Sequence, residues 1–178
     1  MLTGGASTRM GTDKALLEVS GAPMALRVAE ALLAAGASEV VCIGGDLVAL
    51  RALGLNAIGD DQPGAGPLAG ILTALRVASA DIVLVAPCDL LCPDPSVLAA
   101  IVAALGDARV AVPVVEGNRQ PLNAAFRTEV RTELRRMFDA GDRSVRHALA
   151  GLDGVVKVHL AVGPLDDADA PEDLPTDR

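Results

Sequence analysis

Short apolar runs rich in Val and Ile alternate along this chain with segments of helical length. The clearest run covers residues 82–86, Ile-Val-Leu-Val-Ala, and it stops at Pro87. A continuous apolar run of this length predicts a strand that is buried on both faces. Strands separated by helices of about ten to fifteen residues form βαβ units around a parallel sheet. The alternation therefore predicts an α/β domain with a mostly parallel central sheet.

The element boundaries follow from prolines, glycines and capping residues at the ends of the apolar patterns. We expect a single domain over residues 1–178, with 175–178 as a disordered tail. The predicted strands cover 39–43, 55–58, 81–86, 108–115, 122–126 and 155–160. The predicted helices cover 23–35, 47–53, 67–78, 94 or 96 to about 105, 128–140 and 144–149.

The start of the chain is unusual for this architecture. A parallel α/β domain should open with a buried apolar strand, yet only Met1 and Leu2 precede the first glycine-rich loop. The first strand therefore looks truncated: either it is missing from this version of the chain or the assigned start lies too far downstream, and we favour the second explanation.

Charge and aromatic content limit the possible partners. The formal net charge is −8, and the chain has two Phe and no Trp or Tyr. Single-stranded nucleic-acid binders combine a basic groove with aromatic stacking platforms. The composition therefore argues against a polynucleotide partner.

Neither a membrane span nor a secretory signal is predicted. The apolar stretch over 22–43 is interrupted by Arg27, Glu30 and Glu39, and the N-terminus has no basic region before an apolar one. The three cysteines cannot all pair within the chain, which indicates reduced thiols and a cytoplasmic protein. Cys88 and Cys92 could form part of a metal site, but small buried apolar residues are the preferred interpretation.

The loop over residues 2–14 is the strongest chemical feature. It contains three glycines together with Arg9 and Lys14. Glycines let backbone N–H groups approach phosphate oxygens closely, whereas Arg offers a bidentate fork and Lys a point charge. The spacing matches neither a P-loop nor the dinucleotide fingerprint, because Ala15 follows the lysine. The loop predicts a triphosphate site; the alternative is a surface loop with incidental charges.

Carboxylates follow two of the predicted strands and recur near the C-terminus. Asp89 comes after the 81–86 strand, where it could bind Mg²⁺ in a ligand crevice or serve as a turn residue. Asp60 follows the 55–58 strand and is equally suited to a turn. The segment 167–174, with Asp167 and Asp169, resembles a solvated acidic tail when considered alone.

In this order, the elements resemble the molybdenum cofactor guanylyltransferase family, within the Rossmann-like nucleotidyltransferases, over almost the whole chain. The first block, over residues 2–17, is highly specific for the superfamily, and the later blocks favour the guanylyl branch more weakly. The later blocks are Gly21-Ala22-Pro23, Gly66-Pro67-Leu68-Ala69-Gly70, Pro87-Cys88-Asp89, Gln120-Pro121, Ala140-Gly141-Asp142-Arg143-Ser144 and Asp169-Ala170-Pro171-Glu172-Asp173-Leu174.

The resemblance implies a three-layer αβα fold and a specific reaction. The terminal phosphate of molybdenum-loaded molybdopterin would attack the α-phosphorus of GTP, giving molybdopterin guanine dinucleotide and pyrophosphate. The implied nucleotide contacts are Leu2, Thr3, Gly4 and Gly5, with the loop through Gly11 around the phosphates and Asp60 near the nucleoside. Lys14 would neutralise charge at the α-phosphate. Asp89 would hold Mg²⁺, with Asp169 as second ligand and Asp167 as its competitor.

Two residues depart from the family pattern. Thr3 stands where alanine is usual, and Ile43 stands where some members have an asparagine that helps to bind the nucleotide. Base recognition at that point would then depend on backbone groups of Gly44 or Gly45.

Other functions fit part of the same pattern. A molybdopterin cytidylyltransferase shares the loop and both metal carboxylates, and other small-molecule nucleotidyltransferases share the loop. A catalytically silent GTP-binding partner of a molybdoenzyme would keep Gly4, Gly5 and Lys14 without needing two metal carboxylates. The presence of both Asp89 and Asp169 favours an enzyme.

Overall fold

The computed structural model describes residues 1–4, 13–161 and 165. Its strands are β1 (Glu18–Val19), β2 (Ala22–Pro23), β3 (Val41–Ile43), β4 (Asn56–Ile58), β5 (Ile82–Leu84), β6 (Val110–Val115), β7 (Asn118–Arg119), β8 (Ala125–Arg127) and β9 (Val155–Leu160). Its α-helices are α1 (Met24–Ala34), α2 (Leu47–Ala52), α3 (Pro67–Val77), α4 (Pro95–Ala103), α5 (Arg131–Asp139) and α6 (Val145–Ala150).

The central sheet is mostly parallel, as predicted. β3 pairs with β4 in parallel, and Leu2 forms parallel bridges with both Ile43 and Pro87, which joins this pair to β5. Beyond β5 the order is β8, β6 and β9; β8 is antiparallel to both of its neighbours, whereas β9 is parallel to β6. The first residues of the chain therefore lie between β3 and the segment that continues β5.

Local capping explains where most helices begin. Prolines occupy the first helical positions of α3 and α4, where the missing N–H costs no hydrogen bond. The side chains of Asp46, Asp94 and Ser144 accept hydrogen bonds from the first backbone N–H groups of α2, α4 and α6, respectively. These signals place the helices within a few residues of the predicted boundaries.

Two apolar clusters fill the space on opposite faces of the sheet. Leu2 packs with α3, α5 and α6 in a cluster that includes Leu68 and Phe126. Met1, its neighbour, packs with α1, α2 and α4 in a second cluster that includes Cys42 and Leu98. Successive side chains of a strand point to opposite faces, so the arrangement confirms the three-layer αβα architecture.

Two short strand pairs were not predicted. β1 pairs with β2 in a hairpin that turns at Ser20 and Gly21, both with positive φ, and β7 pairs with the end of β6. Within the described part of the chain, no helix combines the length and apolar character that crossing a bilayer requires. The expected tail at 175–178 lies outside the described residues.

Candidate active site

The predicted site residues that the structure describes gather at one edge of the sheet. Gly4 continues the N-terminal segment, Asp60 follows β4 and Asp89 follows β5. All three segments belong to parallel strands, so their carboxyl ends meet at the same edge, where open α/β sheets bind ligands. Gly5, Arg9, Asp167 and Asp169 lie outside the described residues.

Lys14 and Asp89 form an ion pair at this edge. The Lys14 ammonium lies 2.9 Å from Asp89 Oδ2, and the two side chains are 18% and 14% exposed. Lys14 opens a short 3₁₀ turn (Lys14–Leu16), and Asp89 follows Pro87, which ends the apolar strand run. The pair places one positive charge and one carboxylate side by side in a poorly hydrated position.

Asp13 anchors the end of the glycine-rich loop to the turn after β3. Its Oδ1 accepts a hydrogen bond from the Ala15 N–H at 3.0 Å, and its Oδ2 accepts one from the Asp46 N–H at 3.1 Å. The first bond caps the 3₁₀ turn that carries Lys14. Asp13 therefore positions Lys14, a role that the sequence pattern did not reveal.

Glycines allow the N-terminal segment to approach the turn after β3 closely. A Cβ on Gly45 would lie 2.7 Å from the carbonyl oxygen of Thr3, and one on Gly44 would lie 3.0 Å from Gly4 Cα. Gly44 and Gly45 also have φ values of 79° and 76°, a region that side chains disfavour. Both the contact and the backbone conformation require glycine at these positions.

Thr3 ties the same two segments together. Its side chain is buried, and its hydroxyl donates to the carbonyl oxygens of Gly44 at 2.8 Å and Ile43 at 3.1 Å. The N–H of Gly44 donates to Ile58 at 2.9 Å. The N–H of Gly44 is thus engaged within the chain, and base recognition by backbone groups of Gly44 or Gly45 stays a prediction.

Asp60 is held by a buried hydroxyl. Its Oδ1 accepts hydrogen bonds from Thr73 Oγ1 at 2.8 Å and from the Gln62 N–H at 3.1 Å. Thr73 lies on α3, is fully buried, and also accepts a bond from the Asp61 N–H at 3.1 Å. Thr73 therefore positions Asp60, although its place inside an apolar helix pattern did not single it out in the sequence.

Leu2 and Gly70 explain part of the Gly-Pro-Leu-Ala-Gly block. A Cβ on Gly70 would lie 3.0 Å from Leu2 Cδ2 and 3.7 Å from Asp60 Oδ2. Leu2 is buried, and its backbone N–H and C=O bond with Ala86 and Cys88. Gly70 thus leaves room for the Leu2 side chain beside Asp60.

Arg143 is engaged in structural contacts. Its guanidinium lies 3.7 Å from the centre of the Phe138 ring, and it donates a hydrogen bond to the Phe138 carbonyl oxygen. A Cβ on Gly66 would lie 3.9 Å from the Arg143 carbonyl oxygen. The Gly-Asp-Arg-Ser block therefore meets the loop that precedes α3.

Cys88 is unsuited to act as a nucleophile. Burial, followed by the negative charges of Asp89 and Asp13, raises the pKa of its thiol to about 12. Cys42 is also buried, whereas Cys92 is exposed. Since the thiolate is the reactive form, Cys88 behaves as a small apolar residue, as preferred from the sequence.

Among the described residues, Asp89 is the candidate metal ligand. Within residues 1–4, 13–161 and 165, no three acidic, His or Cys side chains cluster as a metal site. The Asp89 carboxylate is nevertheless a hard oxygen donor, and Mg²⁺ is commonly held by one or two carboxylates together with phosphate oxygens and water. The donor therefore fits a magnesium ion whose other ligands come mainly from a phosphate-bearing ligand and water.

Comparisons with known proteins agree on one family. The family model for the MobA-like NTP transferase domain matches residues 1–156. A protein of Chloroflexus aggregans named probable molybdenum cofactor guanylyltransferase is 35% identical, with 85% of this chain and 76% of that protein covered. A protein of Natronomonas pharaonis with the same name is 32% identical, and the match covers 98% and 93% of the two chains.

Solved structures show the same fold at lower identity. Molybdopterin-guanine dinucleotide biosynthesis protein A from Archaeoglobus fulgidus superposes with a TM-score of 0.77 at 23% identity, covering 97% of this chain and 92% of that one. 4-Diphosphocytidyl-2C-methyl-D-erythritol synthase from Anaerococcus prevotii superposes with a TM-score of 0.72 at 12% identity, covering 97% and 89%. Proteins whose names refer to a guanine and to a cytidyl product thus share this fold, so the fold alone does not select the nucleotide.

Proposed function

The chain belongs to the MobA-like NTP transferase domain family, and we propose that it is a molybdenum cofactor guanylyltransferase. An oxygen of the terminal phosphate of molybdenum-loaded molybdopterin forms a bond to the α-phosphorus of GTP. The bond from that phosphorus to the bridging oxygen breaks, and pyrophosphate leaves with the electron pair. The observation that carries this proposal is the Lys14–Asp89 pair at the ligand-binding edge of the sheet, in a chain 35% identical to a protein of that name.

Lys14 supplies positive charge where the reaction develops negative charge. Nucleotidyl transfer depends on in-line positioning and on charge stabilisation more than on covalent help from the protein. The ammonium is held by Asp89, and its 3₁₀ turn is capped by Asp13. This support allows Lys14 to act at the α-phosphate with little reorganisation.

Asp89 is the proposed ligand for Mg²⁺. When bound, the ion would neutralise phosphate charge and stabilise the leaving pyrophosphate. Asp89 supplies a carboxylate that is 14% exposed and follows a central strand. The family pattern adds Asp169 as a second ligand, with Asp167 as the alternative, and the acidic C-terminal segment carries both.

Asp60 and the N-terminal segment form the proposed nucleotide site. Asp60 accepts hydrogen bonds from the nucleoside through the carboxylate that Thr73 orients. Leu2, Thr3, Gly4 and Gly5 contact the nucleotide, and Arg9 binds the triphosphate in the loop through Gly11. The backbones of Gly4 and Gly44 approach each other closely. This supports the arrangement, because the surface beside the strand ends is then narrow and consists of backbone atoms.

The proposed substrates are GTP and molybdenum-loaded molybdopterin, and the product passes to a molybdoenzyme or another cofactor-biosynthesis protein. A nucleic acid or membrane partner forms no part of the proposal, given the net charge of −8. We place the reaction in the cytoplasm because buried Cys42 and Cys88 are kept as free thiols.

Nucleotide selectivity tests the proposal most directly. Purified protein is incubated with Mg²⁺, molybdenum-loaded molybdopterin and either GTP or CTP, and pyrophosphate release is measured. We expect release from GTP only when the other two components are present. Equal turnover of CTP would contradict the guanylyl assignment, and binding of GTP without any turnover would favour a silent nucleotide-binding protein.

A further inference from the structure

A cleft lies between the loop that follows β4 and helix α5. The loop contributes Asp61 and Gln62 to its lining, and the helix contributes Arg131 and Arg135. The proposed reaction uses neither arginine. The remaining lining residues are buried: Ala69, Leu72, Thr73 and Phe138. Polar side chains from two separate segments thus meet over a largely apolar base.

The guanidinium of Arg131 is unpaired in this cleft. Its Nε is buried from solvent and meets no hydrogen-bond acceptor in the described part of the chain. Leaving a buried donor of a charged group without an acceptor is unfavourable. Arg131 is also the first residue of α5, where the helix dipole disfavours a positive side chain. Arg131 therefore offers both a charge and a buried N–H to a ligand.

The carboxylates near Arg131 are already paired with other arginines. Both oxygens of Asp61 accept hydrogen bonds from Arg76, at 2.6 and 2.8 Å. Arg135 pairs with Asp139 through Nε at 3.0 Å and Nη2 at 2.9 Å. The hydrogen bond from Arg76, together with the charges of Arg131 and Arg135, lowers the pKa of the Asp61 carboxyl. These two pairs cancel in charge, so the Arg131 charge is left over and the cleft is locally positive in a chain of net charge −8.

Two further lining residues have hydrogen-bond donors to spare. Within residues 1–4, 13–161 and 165, neither the side-chain amide of Gln62 nor Nη1 of Arg135 has an acceptor. Guanidinium groups donate in a planar fork that suits the oxygens of phosphate and carboxylate groups. Donors from three residues exceed what the two oxygens of a carboxylate would occupy singly, and they match the three terminal oxygens of a phosphate group.

The size of the cleft limits what can enter it. Its enclosed part has a volume of about 10 Å³, which is room for one group the size of a water molecule. Asp61 and Arg135 are exposed, so the cleft opens to solvent beside them. A ligand can therefore place a single oxygen inside while the rest of it stays at the opening.

We propose that this cleft is an anion site, in which one oxygen of a phosphate group accepts a hydrogen bond from Arg131 Nε and the other oxygens lie against Arg135 and Gln62. The ligand is inorganic phosphate or a small phosphate monoester. The site is separate from the glycine-rich loop but borders the nucleoside site, because the Thr73 hydroxyl that orients Asp60 also lies in the cleft lining. The inference does not depend on the proposed reaction.

Thermal unfolding in inorganic phosphate, with chloride keeping the ionic strength constant, tests the site without any assay of catalysis. Phosphate at about ten times its Kd should raise the unfolding midpoint of the unmodified protein by roughly 3 °C or more. Arg131→Met should lose this shift, whereas Arg136→Met, at an exposed position of the same helix, should keep it. Lys14→Met should also keep it, since Lys14 belongs to the glycine-rich loop. A larger shift with glycerol phosphate identifies an ester as the ligand, and a smaller one identifies the free ion; both support the site.

The Nε–H resonance of Arg131 gives a second readout on the unmodified protein, which decides the question even where Arg131→Met fails to fold. In a nitrogen–proton correlation spectrum it should move progressively as phosphate is added, while that of Arg136 stays in place. A resonance of Arg131 that does not respond to phosphate would overturn the proposal and leave water as the occupant. A midpoint shift that survives in Arg131→Met but disappears in Lys14→Met would also overturn it, because phosphate would then bind the glycine-rich loop.

Discussion

Lys14 and Asp89 lie 75 positions apart in the chain, yet the ammonium of one is 2.9 Å from a carboxylate oxygen of the other. The contact joins the end of the glycine-rich loop to the end of a central strand. In the proposed reaction these two side chains have different roles: Lys14 stabilises the phosphate charge, and Asp89 holds the metal ion.

Replacing the carboxylate of Asp89 should abolish turnover. Asp89→Asn keeps the shape of the side chain but removes the charge that Mg²⁺ requires, so we expect pyrophosphate release to fall by about 10²-fold or more. Circular dichroism should show that the fold is kept. Asp153→Asn, at an exposed turn, is the matched control and should retain full activity. Full activity of Asp89→Asn would refute its role as a metal ligand.

Removing the Lys14 ammonium should raise the reaction barrier. Lys14→Met keeps most of the aliphatic stem, and the loss of one positioned charge contact should lower kcat by about 10²-fold or more. Lys157, exposed on β9, provides the control Lys157→Met. A loss of less than tenfold would mean that the loop binds the nucleotide without stabilising the transition state.

The neighbouring carboxylates Asp60 and Asp61 should respond differently to the same change. Asp60→Asn removes a charged acceptor from the proposed nucleoside site, and the KM for GTP should rise by about tenfold or more. Asp61 forms an exposed ion pair with Arg76, which lowers the pKa of the Asp61 carboxyl through their hydrogen bond. Exposed pairs contribute little, so Asp61→Asn should leave KM unchanged; equal effects would place Asp60 outside the site.

Two glycines with similar backbone conformations should tolerate alanine unequally. Gly45 and Gly54 have φ values of 76° and 82°, and a Cβ on Gly54 would meet no atom within 4 Å. Replacing either glycine with alanine places a side chain on a left-handed backbone conformation, which costs about 1–2 kcal/mol. Gly45→Ala also drives a Cβ against the Thr3 carbonyl, so it should lower the free energy of unfolding by at least about 1 kcal/mol more. Urea denaturation measures both, and equal losses would rule out the close approach.

Thiol reactivity should follow burial. With iodoacetamide at about pH 8, we expect native protein to be alkylated at Cys92, and at Cys42 and Cys88 only after unfolding. The pKa of Cys88 is raised to about 12 from an ordinary value of 9.0, so the folded state keeps this proton when the unfolded state has lost it. The associated stability is complete below pH 9 and is lost as the pH rises towards about 12. Rapid alkylation of native Cys88 would contradict its buried environment.

Much of the fold was predictable because its signals are local. Pro67 and Asp94 mark helix starts within one turn of the residues that they affect. The apolar run at 82–86 identified a central strand, although the ladder of β5 itself covers Ile82–Leu84. The two short pairs β1–β2 and β7–β6 escaped prediction, because strands of two residues have no detectable periodicity.

The residue types of the candidate site could be predicted from the sequence, but the residues that position them could not. Asp60 and Asp89 were predicted from their places after predicted strands and Lys14 from the glycine-rich loop, and the structure brings their segments to one edge. Asp13 and Thr73 were missed as positioning residues, because their partners lie in other segments: Asp46 for one and Asp60 for the other. The predicted roles of Arg9 and Asp169 remain predictions.

The sequence by itself determined the alternation of helices and strands, the helix boundaries and the chemical character of the loop, because each depends on residues a few positions apart. Only the tertiary structure decided that β8 runs antiparallel between β5 and β6, and that Gly45 packs closely against the Thr3 carbonyl. These features depend on which strands become neighbours. That choice is made by the packing of the whole sheet between its helices, where residues far apart in the chain share one space.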